Sequence, residues 1–92
     1  MAASKMTKRK IIFTLEAPSA TDVLLMGDFS GWDQQPVSLK RLKNGQWKAT
    51  LDLDQGRYEY RYMVDGRWAD DPKCDIRVPN SFGSQNCVRV VS

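Results

Sequence analysis

Three tryptophans, two cysteines and one adjacent carboxylate pair are the residues of this 92-residue chain whose types invite chemistry, and the chain has no histidine. Without an imidazole there is no Ser-His-Asp or Cys-His nucleophile, and the commonest general base and metal ligand are missing. Cys74 and Cys87 are too few for a structural zinc site built from thiolates alone, so neither metal nor cofactor is expected. Both read as reduced thiols. Asp70-Asp71 is the adjacent acidic pair. Neighbours on a strand point to opposite faces, whereas glycoside hydrolysis needs two carboxylates facing each other across about 5–9.5 Å. Asp71-Pro72 reads instead as a turn, and no catalytic residue is assigned. The tryptophans remain. An indole held outside a core can stack on an arginine, dock a protein partner, or pack against the flat apolar face of a sugar ring.

Which tryptophans are outside depends on the elements that carry them. Hydrophobic residues make up 41% and charged residues 27% of the chain, the balance of one soluble globular domain. Residues 1–9 are polar, basic and without periodicity, and read as a flexible tail ahead of a single domain over residues 10–92. The net charge is +3, but residues 11–92 hold 10 basic and 11 acidic side chains. The basic excess is thus not on the folded part, which argues against nucleic acid as a partner. No apolar run approaches the roughly 20 residues of a membrane helix, and no h-region of a secretory signal follows the basic start. A cytoplasmic location and no membrane partner are expected. Along the chain the apolar period is two. Strands are predicted over Lys10–Glu16, Asp22–Met26, Val37–Leu42, Gln46–Leu53, Arg57–Val64, Arg67–Asp70 and Asn86–Val91, with a long loop over Asp71–Gln85. Short strands at about 8–12-residue spacing with turn signals between them indicate an all-β sandwich or barrel.

Asp65-Gly66 is the strongest turn signal, because a two-residue type I′ hairpin needs positive φ at both positions. That loop fixes the register. Val64 faces Arg67, Met63 faces Trp68, Tyr62 faces Ala69 and Arg61 faces Asp70. Opposed residues share a face, so Tyr58, Tyr60, Tyr62, Val64 and Ala69 form the inner face. Arg61, Met63, Trp68 and Asp70 form the outer one. Trp68 is therefore outside, near Arg61. Trp32 lies in Gly27-Asp28-Phe29-Ser30-Gly31-Trp32-Asp33, a turn-rich loop from which an indole does not easily reach a core. Trp47 alternates with Ala49, Leu51 and Leu53 and belongs inside. On the residues alone, an arginine-shielded indole, a protein-docking patch and a sugar platform all stay open.

Four blocks then narrow the choice. Gly27-Asp28-Phe29-Ser30-Gly31-Trp32, Tyr58 to Trp68, Asp71-Pro72, and Asn80-Ser81-Phe82-Gly83-Ser84-Gln85-Asn86 together resemble the family-48 carbohydrate-binding modules. These include the glycogen-binding domain of the AMP-activated protein kinase β subunit and the N-terminal modules of glycogen branching and debranching enzymes. The resemblance covers about Lys10 to Val91. It implies an immunoglobulin-like β-sandwich that binds α-1,4-linked glucan, such as glycogen or maltodextrin, without catalysis. It also implies a glycogen-metabolising enzyme or a kinase as partner. Trp32 and Trp68 match the two stacking tryptophans and Asn86 a glucan-bonding asparagine. Arg61 stands where the kinase modules carry a sugar-bonding lysine, Phe82 where a leucine enters the curve of the glucan, and Ser84 in place of a threonine. The alternative is an immunoglobulin-like protein-interaction module that uses the same aromatic face.

Overall fold

The computed structural model describes residues 8–81 and 83–92. Residues 1–7 of the expected tail and Phe82 of the expected site lie outside the described residues. In chain order the strands are β1 (Arg9–Glu16), β2 (Val23–Gly27), β3 (Val37–Ser38), β4 (Lys40–Arg41), β5 (Gln46–Leu53), β6 (Gly56–Val64), β7 (Arg67–Ala69), β8 (Ile76–Pro79) and β9 (Gln85–Val91). They form two antiparallel sheets packed as a β-sandwich. One has the order β1-β5-β4; the other has β3-β2-β6-β9-β8, with β7 added beside β6.

Alternation decides what lies between the sheets. Phe13 and Leu15 on β1, Trp47, Ala49 and Leu53 on β5, Val23 and Leu25 on β2, Tyr60 and Tyr62 on β6, and Cys87 and Val91 on β9 are all buried. Phe13 meets Tyr60 edge to face at 5.1 Å, and Tyr60 meets Tyr62 at 6.0 Å. The polar tips of these rings are satisfied, as burial requires. Trp47 Nε1 donates to the Ala17 carbonyl at 2.9 Å, Tyr62 to the Thr14 carbonyl at 3.1 Å, and Tyr60 to the Asp71 carboxylate at 2.7 Å.

Two of the expected elements are different in the structure. The run Val37–Leu42 is not one strand. It divides into β3 in one sheet and β4 in the other, with buried Leu39 between them donating its N–H to Val23. The chain changes sheets there, so a local period of two cannot mark the break. The loop Asp71–Gln85 contains β8. β8 ends in Pro79, and it is an edge strand, where a missing N–H is tolerated.

The hairpin register agrees at three of its four expected pairs, with Tyr62 opposite Ala69, Met63 opposite Trp68 and Val64 opposite Arg67, while β7 ends at Ala69 and Arg61 meets Asp70 through a side-chain ion pair at 2.9 Å. Asp65 and Gly66 take φ values of 50° and 83°. Asp65 also does something not visible locally. Its Oδ1 accepts the N–H groups of Thr21 at 2.9 Å and Asp22 at 2.8 Å, tying the turn to the β1–β2 connection. Asp65→Ala removes both bonds and puts a Cβ without compensation at positive φ. The expected loss is about 1–3 kcal/mol in urea denaturation, and Asp65→Asn, which keeps an acceptor and tolerates that backbone, loses less than half as much.

Candidate binding site

The decisive feature is how β6 shares one of its edges. Along its other edge it pairs with β2, from Val23–Val64 to Gly27–Tyr60. Along this edge residues 56–60 pair with β9 and residues 62–64 with β7. The two strands lie end to end, and Arg61 falls at their junction. Its outward side chain therefore has Trp68 of β7 on one flank and Asn86 of β9 on the other. The loop after β2 comes down on the same face and brings Trp32.

That loop is built for close approach. A Cβ on Gly27 would stand 2.6 Å from the Glu59 carbonyl and 2.9 Å from Tyr60 Cβ, so only glycine lets β2 lie this near β6 here. A 3₁₀ turn, Asp28–Ser30, follows. Phe29 leaves it inward, 5.6 Å from Phe13. Buried Ser30 accepts the Gly27 N–H at 3.2 Å, and its hydroxyl lies 3.0 Å from the Trp32 carbonyl. Gly31 and Trp32 then both have positive φ, 64° and 60°. For a residue as bulky as tryptophan this is a strained conformation of the kind that collects at functional sites.

Trp32 and Trp68 meet edge to face, with ring centroids 6.3 Å apart and planes inclined at 66°. Trp68 is 47% exposed, whereas Trp47 is 6% exposed. Between and beside the two indoles lies a hollow of about 620 Å³ whose other walls include Asp28, Asp33, Glu59, Asn80, Ser81 and Asn86. A second hollow, of about 370 Å³, lies by Thr14, Asp71, Lys73 and Cys74 and holds no indole.

Arg61 lines the larger hollow but is largely committed. Its Nη2 pairs with Asp70 Oδ1 at 2.9 Å, its side chain is 13% exposed, and its Cζ lies 5.4 Å from the Trp68 ring centroid. It is a base under the indole more than a free fork. Its Nε is buried without a hydrogen-bond partner among the described residues. Asn86 is buried and held at both ends of its amide: Nδ2 donates to Glu59 Oε1 at 3.1 Å, and Oδ1 accepts from Asn80 Nδ2 at 3.0 Å. Ser84 lies in the turn before β9, where its carbonyl accepts the Asn80 N–H at 3.0 Å and its own N–H donates to Asn80 Oδ1 at 3.1 Å, and it is not among the residues walling the hollow. The structure thus unites Trp32, Arg61, Trp68 and Asn86. It adds Asp28, Asp33, Glu59, Asn80 and Ser81, which the sequence reading did not single out as walls. Glu59 was within reach, since it is two residues from Arg61 on an outward face.

The Asp71 carboxylate stands apart from this chemistry. It is buried and accepts the Tyr60 hydroxyl and the Lys73 N–H. Burial first, and then this hydrogen bond, raises the Tyr60 phenol far above its ordinary value. Burial chiefly, with the Asp71 charge, does the same to Tyr62. Both cysteines are free thiols. Burial and then the hydrogen bond with Cys74 push Cys87 up to about 12, which leaves it a poor nucleophile.

A sandwich whose outer face carries two half-open indoles over fixed amide and carboxylate groups has the chemistry of a carbohydrate platform. Residues 10–92 match the family model described as the glycogen recognition site of AMP-activated protein kinase. The chain belongs to that family and is an α-glucan-binding module. It is 39% identical over 74 residues to Protein PTST homolog 2, chloroplastic, of Arabidopsis thaliana, and 34% identical over 71 residues to Protein FLOURY ENDOSPERM 6, chloroplastic, of Oryza sativa subsp. japonica. These matches cover 80% and 77% of the chain but only 13% of each relative. Among solved structures, a pullulanase from Anoxybacillus sp. LM18-11 aligns with a TM-score of 0.66 at 28% identity, over all of this chain and 14% of that one. The two plant relatives, both named as chloroplastic, overturn the expected cytoplasmic location. The absence of an apolar h-region bears only on secretion, because plastid transit segments are basic, serine-rich and amphipathic rather than apolar.

Proposed function

We propose that the hollow between Trp32 and Trp68 seats a run of α-1,4-linked glucose, and that the module works in a plastid by holding a partner enzyme or kinase on starch-like or glycogen-like chains. The observation that carries this reading is the aromatic pair itself, with centroids 6.3 Å apart and planes 66° apart. Two rings at that inclination match the faces of a curved chain better than those of a flat β-1,4 ribbon. The walls support it. A protein-docking patch calls for a more contiguous apolar surface, whereas here Asp28, Asp33, Glu59, Asn80, Ser81 and Asn86 stand beside the indoles and are suited to sugar hydroxyls. Trp32 and Trp68 stack, Asn86 and Glu59 bond hydroxyls at the hollow's wall, and Arg61 supports Trp68 from beneath. The module has no catalysis of its own in this reading, in keeping with a chain that lacks histidine.

Titration with maltoheptaose, followed by tryptophan emission, is expected to give a dissociation constant between millimolar and micromolar, about −4 to −8 kcal/mol. Cellohexaose at the same concentrations is expected to leave the emission unchanged. Equal responses to the two sugars, or none to maltoheptaose at saturation, would remove the basis for the assignment.

A further inference from the structure

We propose that Asp28 is the positioning residue of the aromatic pair, a clamp that sets Trp32 against β6 before any sugar arrives. The proposal deepens the glucan reading of the hollow and rests on it. Both oxygens of this carboxylate are used, and on different parts of the molecule. Oδ1 accepts the indole Nε1–H of Trp32 at 3.1 Å. Oδ2 accepts the backbone N–H of Glu59 at 2.8 Å. Glu59 lies just beyond Tyr60, the last β6 residue paired with β2. The sheet ladder has run out there, and the side chain takes the place of the next strand residue. One end of the clamp is therefore the most central strand of the sheet, and the other is a ring on a loop.

The loop needs such a clamp. Trp32 sits at φ 60° directly after Gly31 at φ 64°, a backbone region that bulky residues rarely enter. Its other local ties, the N–H to the Gly27 carbonyl and the carbonyl near the Ser30 hydroxyl, hold the main chain and leave the ring's direction open. Asp28 alone, among the described residues, has a hydrogen bond to the ring. A carboxylate suits the task because two N–H donors converge on it and it presents only acceptors. An amide of the same shape would turn an NH₂ toward one of them. The clamp also uses up the indole N–H, so Trp32 offers the glucan its ring surface and no donor. Preset orientation of this kind strengthens binding by lowering the ordering cost at association.

The test uses the full chain as wild type, Asp28→Ala, Asp28→Asn and Trp32→Ala. Two coupled indoles give an exciton couplet in the far-ultraviolet circular dichroism of the sugar-free protein, and Trp32→Ala defines its absence. Asp28→Ala is expected to lose most of the couplet while keeping the β-sheet signal, and to bind maltoheptaose about tenfold more weakly, or 1.4 kcal/mol. Asp28→Asn is expected to fall between it and wild type in both. A wild-type couplet in Asp28→Ala, or an affinity within twofold of wild type, overturns the proposal. If Asp28→Ala does not fold, Asp28→Asn decides: a weakened couplet upholds the clamp and an unchanged one overturns it. Should wild type itself not bind maltoheptaose, the glucan reading falls, while the couplets of the Asp28 variants still uphold or overturn the clamp.

Discussion

Trp68→Ala is expected to abolish measurable maltoheptaose binding and to leave a folded domain. The indole stands 47% exposed on the outer face of its hairpin, so its removal opens no internal cavity. What the fold loses is the contact with the Arg61 guanidinium, 5.4 Å from the ring centroid, and the edge of Trp32. A cation–π contact at an exposed site is worth about 0.5–1 kcal/mol, and in a domain of this size 1 kcal/mol moves the melting temperature by about 4–8 °C. The glucan loses one of two stacking surfaces. The loss is the area the ring covers on the sugar plus about a kcal/mol of stacking beyond it, so an affinity that begins near the millimolar end of the range drops out of measurement. Arg61 stays in place, held by Asp70 at 2.9 Å, so loss of binding reports the ring and not a collapsed floor. Melting and titration on the same preparation check this. A variant that melts far below wild type, or that binds normally, would show the outer face to be misassigned.

Trp47→Ala is expected to do the reverse. This indole is 6% exposed, packs in the core with Phe13, Leu15 and Ala49, and donates to the Ala17 carbonyl at 2.9 Å. Truncating a buried aromatic costs about 3–5 kcal/mol, out of roughly 5–14 kcal/mol for a domain of this length. Chemical denaturation should show that loss. The fraction that remains folded should bind maltoheptaose with wild-type affinity, because Trp47 belongs to the sheet that does not carry the hollow. A stability loss under 1 kcal/mol would contradict the core assignment.

The contrast between these two tryptophans was legible before any coordinates. Trp47 alternates with Ala49 and Leu53, and a period of two on a half-buried strand settles the face. Trp68 follows from Asp65-Gly66, because a two-residue turn leaves a single register. Asp28 was legible only as a turn former. Its partners are the indole four residues on and an N–H thirty-one residues on, and the second depends on which strand lies beside β2. The bond between Asn86 and Glu59 is of the same kind. Both residues could be placed on an outward face, but not next to each other. The break at Leu39 and the strand Ile76–Pro79 escaped local reading because each depends on which neighbour supplies the hydrogen bonds.

What the sequence determined alone is therefore what near neighbours decide: strand period, the hairpin register, the exposure of Trp68, the place of Trp32 outside the core, the burial of Trp47, and, through four ordered blocks, the family. Only the tertiary structure decided that β9 and β7 lie end to end along β6, with Arg61 at their junction. It also decided that the Asn86 amide is held between Glu59 and Asn80, and that the two indoles meet at 66°. The physical reason is range. Turn chemistry and side-chain alternation act over a few residues, whereas the site is made where segments tens of residues apart compete for one strand edge. Which segment wins is set by burial and hydrogen bonding over the whole sandwich.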